Sequence, residues 1–219
     1  MIFDWVLENK EMIKLVYAIL ICFICATIVV KTNKLFKLSD VQGLRYFRNS
    51  FFFYGLAFFS RYILGLFWDT IFFFEFFIII AGLFLLYSFI WKHAEYEGNC
   101  YYSLLNPKAG IFYIVAFLIA CFDYYFNTAL FMYISQIALF VVMSFISYNK
   151  FVSSGRKNKA SKYYFVVILL GLLMWTLNMS LEYFINWNIA VQSIVYSINI
   201  LFFAFFFYVI TKITKGKNG

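Results

Sequence analysis

The chain has 219 residues, of which 65% are hydrophobic and only 13% are charged, and its mean hydropathy is +0.84. Water-soluble domains are about 45–50% apolar and about 25% charged. The composition therefore excludes a soluble globule and predicts an all-α, polytopic protein whose main partner is the lipid bilayer. The formal net charge of +8 then needs no nucleic acid to account for it, because the charges follow the membrane topology.

Seven apolar segments are long enough, or nearly so, to cross the bilayer, since a helix needs about 20 residues to span about 30 Å of hydrocarbon. In chain order they are Ile13–Val30, Phe51–Trp68, Thr70–Trp91, Ala109–Phe126, Thr128–Tyr148, Tyr163–Phe184 and Trp187–Thr211. Very short connections make segments two and three, four and five, and six and seven antiparallel hairpins. The sequence thus predicts a single seven-helix membrane domain over residues 1–219.

The charges between these segments alternate in sign. Most of the 18 Lys and Arg lie in the connections after the first, third and fifth segments and in the C-terminal tail. Acidic residues mark the opposite ends, at Asp4, Asp69, Asp123 and Glu182. Because basic connections stay in the cytoplasm, the pattern predicts an N-terminus outside and a C-terminus inside a cell membrane.

Several kinds of chemistry are excluded or disfavoured by what the sequence lacks. A single His cannot supply two axial haem ligands, and there is no G-x-S-x-G motif. Cys22 and Cys25 have a C-x-x-C spacing that can hold a metal, but they fall inside an apolar segment and are interpreted as packing residues. We therefore expect no catalysis, no cofactor and no metal site.

Two charged residues lie inside apolar segments, at Arg61 and Glu75. Counted along the helices, they lie about 10 Å and about 8 Å below the predicted outer ends of segments two and three. Ionisable side chains inside a membrane usually face the bundle interior and pair with one another. The sequence accordingly predicts an Arg61–Glu75 ion pair.

The same count places further polar residues in the outer third of other segments. With Arg61 and Glu75, the ligand-binding candidates are Gln136, Asn178 and Gln192; the secondary candidates are Trp175, Asn188, Asn199, Glu182 and Asp123. A polar layer confined to the outer third favours an outward-facing pocket for a small polar ligand. The alternative interpretation is that these side chains only form hydrogen bonds that hold the helices together.

Three functions remain open at this point. The seven-span layout with the N-terminus outside is similar to that of receptors and membrane sensor modules, which favours a sensor or receptor whose cytoplasmic signalling partner docks on the basic connections. A small solute transporter built as a 3+1+3 helix repeat is the first alternative, since helix triplets recur in transporters. A structural or assembly subunit of a membrane complex is the second.

Overall fold

The computed structural model describes residues 10–39, 42–94, 107–153, 159–184 and 189–215. Within these ranges the chain forms seven α-helices and one short 3₁₀ turn at Leu64–Leu66. The helices are α1 (Lys10–Ser39), α2 (Gln42–Tyr62), α3 (Ile71–Ala94), α4 (Pro107–Phe126), α5 (Leu130–Ser153), α6 (Lys159–Tyr183) and α7 (Ile189–Lys215). The protein is therefore a polytopic helical membrane protein.

Six of the helices in the described ranges are long and apolar enough to cross a membrane, and α2 is the exception. Its composition explains this, because α2 carries Arg45, Arg48 and Arg61. It nevertheless packs along both α1 and α3. Its side chains also reach across the bundle, where the Phe51 ring lies 5.0 Å from that of Phe206 on α7.

The helix predicted over residues 51–68 is displaced toward its N-terminus, since α2 begins at Gln42 and ends at Tyr62. The early start is stabilised by packing, because Tyr46 lies 4.6 Å from the Tyr87 ring of α3. The early end has a local cause, as the Thr70 hydroxyl donates a 2.8 Å hydrogen bond to the Ser60 carbonyl. Most of the predicted basic loop before residue 51 is consequently helical.

Successive helices contact one another, α1 closes the bundle against α7, and α3 also contacts α5 directly. Because α3 and α5 meet, α4 lies outside them and packs in the groove that they form. The outward side chains of α4 are accordingly exposed and apolar, as expected for a surface that faces lipid: Ile111, Ile114, Val115, Phe117 and Leu118.

One end of the bundle, which we term the basic end, carries Lys31, Lys34, Arg48, Lys150 and Lys212. Hydrogen bonds hold several of these side chains there and join the helices. Lys31 Nζ donates to Thr211 Oγ1 at 2.9 Å, Lys150 Nζ to the Phe89 carbonyl at 2.6 Å, and Lys212 Nζ to Tyr163 Oη at 3.1 Å. The opposite end, which we term the turn end, holds the tight connections between α2 and α3 and between α4 and α5.

The α4–α5 connection is fixed by Asn127 and Asp123. Asn127 adopts a positive φ of 51°, which asparagine tolerates better than most residues, and it ends α4 in the reversed conformation typical of helix C-termini. The fully buried Asp123 carboxylate accepts hydrogen bonds from the Met132 amide at 2.7 Å and from the Phe131 amide and Thr128 hydroxyl at 3.0 Å. It therefore caps the N-terminus of α5 from the preceding helix.

Candidate functional site

A cavity of about 390 Å³ opens between the helices at the turn end. We term it the interhelical cavity. Every helix except α4 contributes to it, together with the α4–α5 connection. Its lining residues are Tyr17, Phe58, Arg61, Tyr62, Ile71, Phe74, Glu75, Asn127, Thr128, Ala129, Met132, Tyr133, Met174, Trp175, Asn178, Leu181, Glu182, Tyr183, Tyr196 and Asn199.

Three primary candidates, Arg61, Glu75 and Asn178, line this cavity. Three secondary candidates line it as well: Trp175, Glu182 and Asn199. Gln136 and Asp123 do not. Asn188 lies outside the described residues, and so does the side chain of Gln192. The structure thus brings charged and polar groups from four helices to one cavity, and their role in binding stays a prediction.

Among the described residues, no ion pair joins Arg61 to Glu75, although both line the cavity. The Arg61 side chain is exposed, and its guanidinium carbon lies 6.0 Å from the centroid of the Phe74 ring. The predicted pair fails because the depth count assumed that α2 continues to Trp68. Since α2 ends at Tyr62, Arg61 lies on its last turn at the mouth of the cavity, whereas Glu75 lies one turn inside α3.

Glu75 is the most unusual group of the cavity. Its side chain is only 1% exposed, and its Oε2 atom has no hydrogen-bond partner among the described residues. Burying a carboxylate without a hydrogen-bond partner costs free energy of folding. Such a group therefore either binds a water, ion or ligand or is retained for function. The indole Nε1 of Trp175 is also buried, and it is directed at the Tyr54 hydroxyl, which does not line the cavity.

The floor of the cavity is a hydrogen-bonded chain of three side chains. Asn178 Nδ2 donates to Asn199 Oδ1 at 3.0 Å, and Asn199 Nδ2 donates to the Tyr17 hydroxyl oxygen at 2.9 Å. The Tyr17 ring stacks on that of Tyr196, with centroids 4.5 Å apart and an interplanar angle of 18°. This chain joins α1, α6 and α7, so the polar floor is also a rigid contact between helices.

Aromatic rings form much of the wall. Tyr133 lies 6.2 Å from Trp175 and 6.3 Å from Tyr183 in edge-to-face geometry, while Tyr17 and Tyr62 meet at 5.9 Å. The sequence interpretation missed these tyrosines because the chain has 18 of them and 32 phenylalanines. The same depth count that selected Asn178 would have selected Tyr133, had it been applied to aromatic residues.

Gln136 does not line the interhelical cavity, and its position fits the alternative interpretation of a hydrogen bond between helices. It is fully buried on α5, and its Nε2 donates to the Ile78 carbonyl of α3 at 3.1 Å. Gly82 makes room for this amide, because a Cβ at that position would lie 2.6 Å from Gln136 Oε1. Gln136 therefore joins α3 to α5 by a hydrogen bond within the bundle.

Below the cavity, toward the basic end, the centre of the bundle is filled by aromatic side chains. The fully buried rings come from α2, α5 and α7: Phe51, Tyr54, Phe140, Phe202, Phe203 and Phe206. Phe140 meets Phe202 at 5.8 Å, and Phe202 meets Phe206 at 5.0 Å. Among the described residues, the bundle is therefore closely packed below the interhelical cavity.

The cysteines and acidic residues do not converge on a metal site in the described part of the chain, where no three His, Cys, Asp or Glu lie close enough to hold an ion. Cys22 Sγ instead donates a 3.5 Å hydrogen bond to the Gly55 carbonyl, and Cys25 is buried in the core. Their prediction as packing residues agrees with these positions.

A protein of Archaeoglobus fulgidus, described as an uncharacterized protein, is 30% identical to this chain over 181 residues, which cover 76% of the chain and 78% of the relative. The chain belongs to the family of this archaeal protein. No family model matches it, and no solved structure does. For this family member, the argument about function therefore depends on the chemistry of the cavity.

That chemistry combines a buried carboxylate with aromatic faces. Trp, Tyr and Phe rings attract a cation that lies over them, most strongly where water is excluded. The Glu75 carboxyl group brings a negative charge to the same wall when it is ionised, and Glu182 contributes a carboxylate at the exposed rim. Arg61 is the cation among the lining residues, and it lies at the mouth. The cavity can therefore accept a positively charged group at depth and a negatively charged group at its entrance.

Proposed function

We propose that the protein is a sensor or receptor of the cell membrane that binds a small polar ligand in the interhelical cavity and performs no catalysis. In this proposal all seven helices cross the bilayer as one domain, with the N-terminus outside and the C-terminus inside. The cavity then opens to the exterior, and a cytoplasmic signalling partner docks at the basic end.

The topology is supported by the distribution of charge and by the length of α2. The basic end gathers lysines and arginines from four helices, and such ends stay in the cytoplasm. With 21 residues, α2 is about 30 Å long, which matches the hydrocarbon thickness. Its arginines are tolerated because two lie at the basic end and Arg61 lies at the mouth of the cavity.

The observation that carries the ligand-binding proposal is Glu75, a carboxyl group that is 1% exposed, lines a cavity and has no partner at Oε2 within the part of the chain that the structure describes. A purely structural glutamate would be expected to pair with Arg61, which lines the same cavity. Because it does not, a ligand with a cationic group is the natural partner for Glu75. An anionic group on the same ligand would meet Arg61.

The packed core below the cavity favours a sensor over a carrier. A carrier must open its site alternately to both sides, and its sites usually lie at discontinuous helices near the bilayer midplane. Here α5, α6 and α7 each continue past the level of the cavity without a break. Ligand binding that tightens α1, α6 and α7 around the Tyr17–Asn199–Asn178 chain would alter the relative positions of these helices at the basic end.

The proposal is tested by titrating the purified protein in nanodiscs with choline, glycine betaine and the neutral choline isostere 3,3-dimethylbutan-1-ol. Calorimetry and thermal unfolding should detect binding of at least one of the two quaternary ammonium compounds and weaker binding of the isostere. Glu75→Gln should weaken the binding at least about tenfold, because it leaves a buried ligand charge unpaired.

Glu182→Gln is the matched control, since it removes a carboxylate from the exposed rim of the same cavity and should have a smaller effect. Equal binding of choline and the isostere, or full binding by the Glu75→Gln protein, would refute the cationic ligand. An absence of binding by all three compounds would count against the receptor proposal itself.

A further inference from the structure

A second concave site lies at the basic end, in the groove between α1 and α2. It encloses about 430 Å³ and is lined by Val29, Val30, Asn33, Lys34, Arg48, Asn49 and Phe52. We term it the basic groove. It shares no lining residue with the interhelical cavity, so an argument about it stands independently of the proposed ligand.

Arg48 is held in this groove by neutral groups. Its Nη1 donates to Asn33 Oδ1 at 2.9 Å, and its Nη2 and Nε donate to Asn49 Oδ1 at 3.1 and 3.4 Å, which leaves one N–H on each Nη atom. None of the acidic residues that the structure describes pairs with it. The two amides fix the guanidinium without neutralising it, which leaves a positioned positive charge beside Lys34, whose side chain is exposed.

The rest of the groove is apolar and faces outward. Val30 is 56% exposed and Phe52 is 46% exposed, and both lie on helices of the membrane bundle, one turn toward the bilayer centre from the charged pair. A positive charge next to an open apolar groove matches the anionic head group and the acyl chains of a phospholipid. A guanidinium binds a phosphate through paired N–H donors, and an acyl chain covers apolar surface.

We propose that the basic groove binds one anionic phospholipid of the surrounding membrane, with its phosphate on Arg48 and Lys34 and an acyl chain along Val29, Val30 and Phe52. Basic pockets between membrane helices recognise anionic head groups in this way. The lipid would neutralise Arg48 and fill the space between α1 and α2. The inference holds whichever side of the membrane the basic end faces.

The test uses delipidated protein in detergent, titrated with dioleoyl phosphatidylglycerol, dioleoyl phosphatidylcholine or inorganic phosphate, with native mass spectrometry to count bound lipids. One phosphatidylglycerol should bind before any phosphatidylcholine does. Arg48→Gln and Lys34→Gln should each weaken that first binding about fivefold, which is the expected contribution of one basic side chain near a phosphate.

Lys162→Gln is the matched control, because it removes one exposed positive charge from the same end of the bundle at a residue outside the groove. If Lys162→Gln weakens the first phosphatidylglycerol binding as much as Arg48→Gln does, the binding reflects general charge attraction. That result would overturn the proposed lipid site. Equal affinity for the two lipids would also overturn it, and inorganic phosphate that displaces the lipid completely would assign the groove to a free anion. If Arg48→Gln does not fold, Lys34→Gln decides alone, since that side chain is exposed.

Discussion

Gly171 is the residue at which α6 approaches the aromatic core most closely. A Cβ at this position would lie 2.7 Å from Phe140 Cδ1 and 2.7 Å from Phe202 Cε2, far inside ordinary contact distance. Both rings are fully buried and pack against each other. Neither ring can therefore move aside without disturbing α5 or α7.

We expect Gly171→Ala to destabilise the protein by about 1–3 kcal/mol, the usual cost of overpacking a core. Thermal unfolding in nanodiscs measures this loss. Gly110→Ala is the control, because a Cβ at Gly110 meets nothing within 4 Å; it should be neutral or slightly stabilising, since alanine favours a helix over glycine. Equal effects of the two substitutions would contradict the close approach of α6.

The Arg61–Glu75 relationship provides a second prediction about single residues. Because no ion pair joins them, the effects of Arg61→Ala and Glu75→Gln on the free energy of unfolding should add to within about 0.5 kcal/mol. Arg61→Ala should cost little, since the side chain is exposed. Glu75→Gln should not destabilise the unliganded protein, because it removes a buried charge while keeping the shape of the side chain.

A double-mutant cycle in nanodiscs, with the free energy of unfolding measured for all four proteins, checks whether the two effects add. A coupling of several kcal/mol would show that the two charges meet in the membrane. It would also replace the ligand-binding interpretation of Glu75 with that of a clamp between α2 and α3.

At the scale of the helices, the sequence predicted most of the arrangement and misplaced α2. The six other helices overlap their predicted segments because hydropathy identifies a long apolar run reliably, although α1 continues to Ser39, well past the predicted end at Val30. Hydropathy also identifies the apolar run at residues 51–68. The first and last residues of α2, however, are determined by its contacts with other helices. Tyr46 and Phe47 extend it at the start, and Thr70 binds its last turn.

The candidate site residues were likewise predicted only in part. Depth along a helix can be counted from the sequence, and this count placed Glu75 and Asn178 in the layer of the cavity. It placed Arg61 too deep, because α2 ends at Tyr62. The direction in which a side chain points around the helix depends on its neighbours. Gln136 turns toward α3 because Gly82 leaves space there, and nothing in the sequence near Gln136 indicates this.

Among the helices in the described ranges, α2 is the one that lacks the composition of a membrane span. Whether it crosses the bilayer therefore needs a direct test. In a variant without native cysteines, we introduce a single cysteine at Asp40, between α1 and α2, or at Asp69, beyond the end of α2. If α2 crosses the bilayer, an impermeant thiol reagent added to intact cells should label Asp69→Cys and leave Asp40→Cys unlabelled until the cells are opened.

Labelling of both positions from the same side would show that α2 does not cross, which would leave six spans. Labelling of Asp40→Cys alone in intact cells would keep the seven spans and reverse their direction. A cysteine at Ser153, at the end of α5, provides an internal control, because it should behave like Asp40→Cys.

At the scale of the whole molecule, the bundle is polar at both ends and closed in the middle. The turn end holds an aromatic cavity with a buried carboxylate, and the basic end holds a groove with a positioned guanidinium. Between them lie fully buried phenylalanines from α2, α5 and α7. A dry, close-packed core transmits small displacements between helices, which suits a protein that couples events at its two ends.

The closed middle leads to a prediction that separates a sensor from a carrier. Proteoliposomes containing the protein should take up no more radiolabelled choline or glycine betaine than protein-free liposomes, even under an imposed ion gradient, because the rings of Phe140, Phe202 and Phe206 fill the space below the cavity. Retention of a trapped dye shows that the vesicles are sealed, and binding measured on the same preparation shows that the protein is active. Saturable uptake that is lost in Glu75→Gln would contradict the sensor and establish a carrier, in which the aromatic core would have to open during each cycle. Binding without uptake is the result that a receptor with a blind pocket requires.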